Sequence, residues 1–371
     1  MADITIPRAL LPADGRFGAG PSKVRPEALA HLEANSSILG TSHRQAPVKD
    51  LVGRVRSGLH EFFRLPDGYE VALGNGGSTA FWDISAASLA LSRSAHLSFG
   101  EFGAKCHSAH HTPWLAEPHV VGSEPGTRGT LEALADADLY AWPHNETSTG
   151  VSAPVLRVPG AAGDALMVID ATSAAGGIDF DAAHADVYYF APQKNFASDG
   201  GLWFALLSPR AIERAKRVAS SGRYIPDFLS LQLAIENSRA NQTLNTPALA
   251  TLLLMESQLE WMNGLGGLGA AAAKTATNSA LLYTWAEAHP ALGPFVADPD
   301  HRSPVIVTID VDESLDAARL TAVLRANGIV DTEPYRKLGR NQIRVATFVG
   351  IESSDIEALI ASIDYVLERL A

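Results

Sequence analysis

The sequence predicts an α/β protein: a mostly parallel seven-stranded sheet in a large domain, followed by a smaller C-terminal α/β domain. Three observations carry that reading. Seven short apolar runs recur near 69–73, 96–99, 119–121, 138–142, 165–169, 187–190 and 201–207. Several segments between them are long enough for helical crossovers, an alternation that favours an α/β sheet over a sandwich. After residue 300 the strand–helix alternation restarts on a smaller scale.

Taken in order, residues 1–22 read as an irregular arm with Gly15, Gly18, Gly20 and Pro21. Pro26 suits the first turn of a helix over about 26–35. Over 48–63, Leu51, Val55, Leu59, Phe62 and Phe63 recur at helical spacing, and Pro66 follows. After the first strand comes the loop Gly74-Asn75-Gly76-Gly77-Ser78-Thr79, with a helix expected from near Thr79 to about Leu91. A helical pattern runs from Pro247 to about Met262, and a Gly-rich stretch at 264–269 interrupts or follows it. In the C-terminal unit Val305–Ile309 reads as a strand. Ser314–Asn327 reads as a helix stopped by Gly328, Gln342–Phe348 as a strand, and Ser354-Asp355-Ile356-Glu357 as a capping box. The expected division is an arm over 1–15, a large unit over 16–262 and a small unit over 263–371.

Hydrophobic residues make up 46% of 371, which excludes a disordered chain. A formal net charge of −12 argues against nucleic acid as a partner. It does not exclude small anions, because screening over about 8 Å lets a few local arginines outweigh the global balance. Cys106 is the single cysteine, so no internal disulfide forms and a reducing compartment is expected. The N-terminus lacks a basic stretch followed by an apolar core, and no apolar run is long enough for a membrane. The expectation is a cytoplasmic protein with no membrane association.

Lys194 is the most informative residue. It follows the apolar run ending in Tyr188-Tyr189-Phe190, while Asp170 ends the run Met167-Val168-Ile169. Two parallel strands put both at the carboxyl edge of one sheet, where open α/β sheets bind ligands. A desolvated lysine there offers a nucleophilic amine, and an acid offers a partner for a protonated pyridine nitrogen; these are two groups that pyridoxal phosphate requires. Plainer readings stand beside these. Lys194 reaches solvent or pairs with Asp199, Asp170 caps the next segment, and the glycine loop is a tight turn rather than an anion cradle. The polar stretch His144–Gly150 after its strand is likewise either a ring-binding segment or a capped loop. His107, His110 and His111 lack a supporting acid or cysteine at useful spacing, so no metal site is expected.

With these features in order, the chain closely resembles the phosphoserine aminotransferase family of the fold-type I pyridoxal phosphate enzymes, most of all its actinobacterial branch. The resemblance spans essentially the whole length. It rests on Phe17-Gly18-Ala19-Gly20-Pro21-Ser22, Ser42-His43-Arg44, Asn145-Glu146-Thr147 with Gly150, Asp170, Gln193-Lys194-Asn195 and Asn245-Thr246-Pro247. It implies that Lys194 is the Schiff-base lysine and proton carrier, that Asp170 holds the pyridine nitrogen, and that Thr147 lies near the ring's 3-oxygen. Gly77, Ser78, Thr79 and Gln193 would cradle the phosphate. Asn245 and Thr246 would reach the phosphate bound by a neighbouring subunit, which implies a homodimer with sites at its interface. Phe102 stands where the family usually stacks a tryptophan, and Ser78 where some relatives carry arginine. The phosphate would then lean on backbone N–H groups and on the Ser78 or Thr79 hydroxyl.

Arginine reads carboxylate and phosphate through its planar fork. Arg336, Lys337, Arg340 and Arg344 form a basic cluster whose plain reading is a solvated face. Arg344, however, alternates onto the face of Ala346 and Phe348. By resemblance Arg344 binds the α-carboxylate, while His43, Arg44 and Arg336 receive the distal anion of glutamate or phosphoserine. Tyr335 stands where the family usually has histidine, and two extra residues separate Arg336 from Arg344. The activity implied is reversible amino transfer from glutamate to 3-phosphohydroxypyruvate, giving 2-oxoglutarate and phosphoserine in serine biosynthesis. A side role on a phosphorylated threonine analogue in pyridoxine synthesis is also implied. The alternatives are an alanine–glyoxylate or serine–pyruvate type aminotransferase and a non-catalytic α/β binding protein.

Overall fold

The computed structural model describes residues 4–370. Residues 1–3 of the expected arm and 371 of the C-terminal unit lie outside them. The first half of the chain holds α1 (Pro26–Ala34), α2 (Ala46–Phe62), β1 (Glu70–Asn75), α3 (Ser78–Ser88), β2 (Ser94–Ser98), α4 (Glu101–Ala109), β3 (His119–Gly122), β4 (Leu139–Pro143), the short pair β5 (Asn145–Glu146) and β6 (Val151–Ser152), and β7 (Leu166–Asp170). Then follow β8 (Val187–Phe190), β9 (Leu202–Leu207), α5 (Pro209–Ala219), α6 (Leu231–Arg239), α7 (Leu249–Gly264), α8 (Gly267–Ala288), β10 (Leu292–Pro294), β11 (Ile306–Val311), α9 (Ala317–Ala326), β12 (Gln342–Ala346) and α10 (Ser353–Leu370).

The seven-stranded sheet has the order β1-β9-β8-β7-β4-β2-β3. Strands β8, β7, β4, β2 and β3 are mutually parallel, and β9 runs antiparallel to both its neighbours. Two reversals return β1 to the direction of β8, so β1, β4, β7 and β8 all end at the same edge. Strands β7, β8 and β9 are buried along their whole length, as expected of strands covered on both faces. One face packs Phe190, Phe196 and Phe204 against α2 and α7 through Leu59, Phe62 and Leu252. The other packs Tyr189, Trp203 and Leu207 against α3, α5 and α6 through Phe81, Ala211 and Leu231. Helix α5 opens on Pro209, with Ser208 Oγ accepting from Ala211 N at 3.2 Å, a cap that contributes about 1 kcal/mol.

The antiparallel sheet β10-β11-β12 is backed by α9 and α10. Ile6, Phe17 and Ala19 pack into that same apolar cluster. The capping box expected at Ser354–Glu357 does not form. Helix α10 begins one residue earlier, and Asp355 instead accepts from Ala13 N at 2.9 Å and pairs with Lys23 at 3.3 Å. The Gly-rich stretch opens a 22-residue helix, α8, which the sequence reading did not anticipate. Its buried stripe includes Thr275 and Asn278, bonded to Gly177 O and Ile351 O, so its apolar period is faint. Among the described residues no helix is long and apolar enough to cross a membrane.

Candidate active site

The shared strand edge converges on a cavity of about 210 Å³, lined by Gly77, Ser78, Thr79, Trp82, Phe102, Pro143, Asn145, Thr147, Asp170, Thr172, Gln193 and Lys194. The register pairs Pro143 with Asp170 and Asp170 with Tyr189, and this brings the ends of β4, β7 and β8 side by side. Lys194 does not pair with Asp199. Its amine donates to Ala19 O, and the backbone closes over it through Ser22 N to Gln193 O at 2.7 Å. Gly20 makes this approach possible. Its φ is +133°, and a Cβ there would collide with Nζ, Cε and Cδ of Lys194. Burial, and next the positive charge of Arg344, pull the ammonium of Lys194 down to about 8, against the opposing charges of Asp170 and Glu146.

Asp170 combines both readings that the sequence left open. Its Oδ1 accepts from Thr172 N at 3.0 Å and from the Thr172 hydroxyl, a local turn of the capping kind. Its Oδ2 accepts from the Trp82 indole N–H at 2.9 Å, and the carboxylate still lines the cavity. Thr172 has one hydroxyl proton and a carboxylate only accepts, so that proton goes to Asp170. In the 2.6 Å contact between Thr172 Oγ1 and Ser78 Oγ, Ser78 is therefore the donor. The Ser78 hydroxyl is thus engaged within the protein, while the N–H groups of Gly77, Ser78 and Thr79 precede the first intrahelical acceptor, the Ala80 N–H being taken by Gly77 O at 2.9 Å. Gly76, at φ +109°, turns the chain into that helix, and a Cβ on Gly77 would meet nothing within 4 Å.

Strand β5 and the residue after it supply three consecutive residues with separate tasks. Asn145 Nδ2 donates to Ser173 Oγ at 2.8 Å, while its buried Oδ1 has no partner. Glu146, fully buried, accepts from Phe102 N and Gly103 N at 3.0 Å each, from Ser148 N at 3.1 Å and from Ser148 Oγ at 2.7 Å. Its carboxylate therefore caps α4 from outside, where Gly100 offers no side chain, and fixes Phe102 at the cavity wall. Burial pushes its carboxyl above the usual range, against the lowering effect of those bonds. Thr147 O accepts from Arg344 Nη1 at 3.0 Å.

The basic cluster divides. Arg344 lies 5.5 Å from the Tyr335 ring, with a buried Nε that has no partner, and Tyr335 is 6.0 Å from Phe102. Lys337 pairs with Glu101, and Arg340 pairs with Asp310 at 2.6 Å. Arg336 is exposed. His43, Arg44, Asn245 and Thr246 are not among the cavity-lining residues. His43 Nδ1 lies 3.2 Å from Thr246 Oγ1, Arg44 Nη1 donates to Gln242 Oε1 at 2.9 Å, and Asn75 Nδ2 donates to Thr246 O at 2.9 Å. These four residues form a surface group at the end of β1, outside the cavity. His107 and His110 pack with His96, and His111 packs with His107: the His96 and His110 rings are 4.6 Å apart, and His110 Nε2 is 2.8 Å from Ser85 Oγ. Among the described residues no group of three or more His, Cys, Asp or Glu is placed to hold a metal ion.

Sequence reasoning missed Trp82, Thr172, Ala19 and the task of Glu146. A weak signal existed for two of them: Trp82 lies four residues after Ser78 on one helical face, and Thr172 lies two after Asp170, an Asx-turn spacing. The lining suits a flat ring with an anionic tail. A lysine and an acid face a slot beside Phe102, N–H donors stand at one end, and the oxygens of Asn145 and Gln193 are buried without partners.

This sheet carries a lysine and an acid at its carboxyl edge, and the class-V aminotransferase pattern matches residues 25–332. The chain belongs to that family. It is 60% identical over 373 residues to a phosphoserine aminotransferase of a Nocardioides species, covering 99% of each chain. The fold is similar to that of a phosphoserine aminotransferase from Cytophaga hutchinsonii, with a TM-score of 0.88 at 22% identity over 96% of this chain and 100% of that one. It is also similar to a pyridoxal phosphate-bound phosphoserine aminotransferase from Trichomonas vaginalis, with a TM-score of 0.80 at 16% identity over 95% and 99%.

Proposed function

We propose that this chain is a phosphoserine aminotransferase, which moves the amino group of L-glutamate to 3-phosphohydroxypyruvate and leaves 2-oxoglutarate and O-phospho-L-serine. The observation that carries the reading is the joint placement of Lys194 and Asp170 in one cavity beside a helix N-terminus. The choice of substrates rests on full-length relatives of that name together with the cationic readers. In this reading the enzyme works in serine biosynthesis, in the cytoplasm, with 4-phosphohydroxy-L-threonine, which carries the same charged groups on a backbone one carbon longer, as a further substrate.

Pyridoxal phosphate is the cofactor that the lining fits; when bound it supplies an electron sink for the substrate's α-carbon. Lys194 Nζ is the base that takes and returns the α-proton. With a value near 8, roughly a tenth of the amine is neutral at pH 7, against about 0.03% for an ordinary lysine. Asp170 accepts from the ring nitrogen. Thr147 would meet the ring's 3-oxygen and Phe102 would cover the ring. The N–H groups of Gly77, Ser78 and Thr79 take the phosphate, with Gln193. Arg344, already turned toward Thr147, holds the α-carboxylate.

The distal anion needs more cations than one chain brings to its cavity. A homodimer provides them: His43 and Arg44 of a second copy, together with Arg336, receive the γ-carboxylate or the phosphate, and Asn245 and Thr246 reach across to the cofactor phosphate. The support is the exposed position of Arg44, Asn245 and Thr246, with Leu39, 42% exposed, lining the same surface depression as Thr246. In this reading the 16–262 unit carries the cofactor, and the 263–371 unit brings Arg336 and Arg344 to it.

The test is spectroscopic. Purified protein loaded with pyridoxal phosphate is yellow, and glutamate or phosphoserine bleaches it far faster than alanine does. If neither acidic amino acid bleaches it, or if alanine outpaces both, the substrate assignment is wrong.

A further inference from the structure

The acceptor capacity of Asp170 is nearly used up by the protein itself. A carboxylate has about four lone-pair sites. Thr172 N and the Thr172 hydroxyl occupy two on Oδ1, and the Trp82 indole N–H occupies one on Oδ2 at 2.9 Å. Of the sites these bonds leave, one remains, on the oxygen that Trp82 holds, and the Tyr189 hydroxyl is the other protein group that faces this carboxylate. Trp82 is 7% exposed and lines the cavity, so its N–H bond and its ring face belong to the same small volume. Trp82 also lies one helical turn after Ser78 on α3. Ser78 in turn donates to Thr172, at 2.6 Å, and Thr172 donates to Asp170. The start of α3 therefore grips Asp170 twice, from its second turn through Trp82 and from its first residue through the hydroxyl chain Ser78–Thr172. The first turn also presents the N–H groups of Ser78 and Thr79.

We infer that Trp82 and Thr172 are positioning residues for Asp170: they fix its carboxylate so that a single acceptor site faces the ring nitrogen of the cofactor, and they tie that site to the anion-binding turn of α3. The inference rests on the reading that this cavity holds pyridoxal phosphate. It goes beyond that reading by assigning a task to an indole that touches neither the reacting amine nor the substrate's anions. A tryptophan whose N–H merely finds the nearest oxygen would have no effect on the bound ring. A tryptophan that orients the carboxylate changes the ring's protonation when it is removed.

The test uses the full-length protein, with Trp82→Phe, which keeps an aromatic ring and deletes the N–H. A pair at Thr172 accompanies it: Thr172→Val deletes the hydroxyl and Thr172→Ser keeps it. Two quantities are read for each: the dissociation constant for pyridoxal phosphate, from titration of the apoprotein, and the pH midpoint of the visible band of the loaded protein. The thermal midpoint of each apoprotein is recorded alongside. The expectation is an affinity loss of about tenfold for Trp82→Phe and for Thr172→Val, the scale of one hydrogen bond to a charged group. A displaced band midpoint should accompany it, with Thr172→Ser within about twofold of the parent. Should Trp82→Phe fail to fold, the Thr172 pair decides alone. An unchanged affinity and band midpoint in Trp82→Phe and Thr172→Val, whatever happens to thermal stability, overturns the inference and leaves the cofactor assignment standing. A parent protein that binds no pyridoxal phosphate overturns the cofactor assignment itself.

Discussion

Gly20→Ala is the sharpest perturbation that the geometry around Lys194 offers. Gly20 sits at φ +133°, and an added Cβ would fall on the end of the Lys194 side chain. The backbone region alone costs an alanine on the order of 1–3 kcal/mol. The collision also forces Lys194 off Ala19 O, forfeiting a charge-assisted bond of about 1.5–3 kcal/mol. Partial relaxation of the 17–22 segment recovers some of this, so the expected loss is about 2–4 kcal/mol in urea unfolding of the apoprotein. Displacing the amine by about 1 Å should also slow its covalent capture of pyridoxal phosphate by about a hundredfold. Borohydride trapping at timed intervals measures that rate. A variant that loses less than about 1 kcal/mol and captures the cofactor at the parental rate would refute the reasoning, because Lys194 would then not depend on the space above Gly20.

Arg44→Ala should impair glutamate and phosphoserine far more than alanine in bleaching assays, and equal losses on all three would reject its role at the distal anion. Mixing Lys194→Ala with Arg44→Ala subunits after mild dissociation should restore up to about a quarter of the parental sites if each site draws on both copies of a two-fold dimer; no recovery contradicts the shared site. Acid should destabilise the fold through buried histidines. Burial pulls His110 and His144 down to about 3 in the native state, so between pH 6.5 and 3 the unfolded chain binds more protons and stability falls as pH falls. The two together contribute about 2–4 kcal/mol of loss between pH 7 and 5 in urea titrations, His96, lowered by burial as well, adds to it, and His144→Phe should remove about a third of the drop.

What could be read from the sequence was what depends on one strand and its end. Asp170 closes a fully buried run and Lys194 follows another by four residues, and parallel pairing alone carries both to a common edge. Helices α2 and α7 and strand β12 showed themselves through apolar period and the final helix through its opening residues, whereas α8 did not, because its buried stripe carries Thr275, Asn278 and Ser279. The antiparallel course of β9 was equally hidden, since a buried strand has the same composition in either direction. Side-chain partnerships across long separations were the least legible. Trp82 meets Asp170 and Glu146 meets Phe102 only after several strands have been ordered, and nothing local marks either pair. The basic run 336–344 looked like one cluster, yet Lys337, Arg340 and Arg344 find partners on three different elements.

The central claim is that Lys194 is the residue that holds the cofactor and moves the substrate's proton. Borohydride reduction of the loaded protein, followed by peptide mass spectrometry, tests it most directly. The account predicts one pyridoxyl adduct, on the peptide carrying Lys194, and none in Lys194→Ala. An adduct on another lysine, or an undiminished adduct in Lys194→Ala, would contradict it.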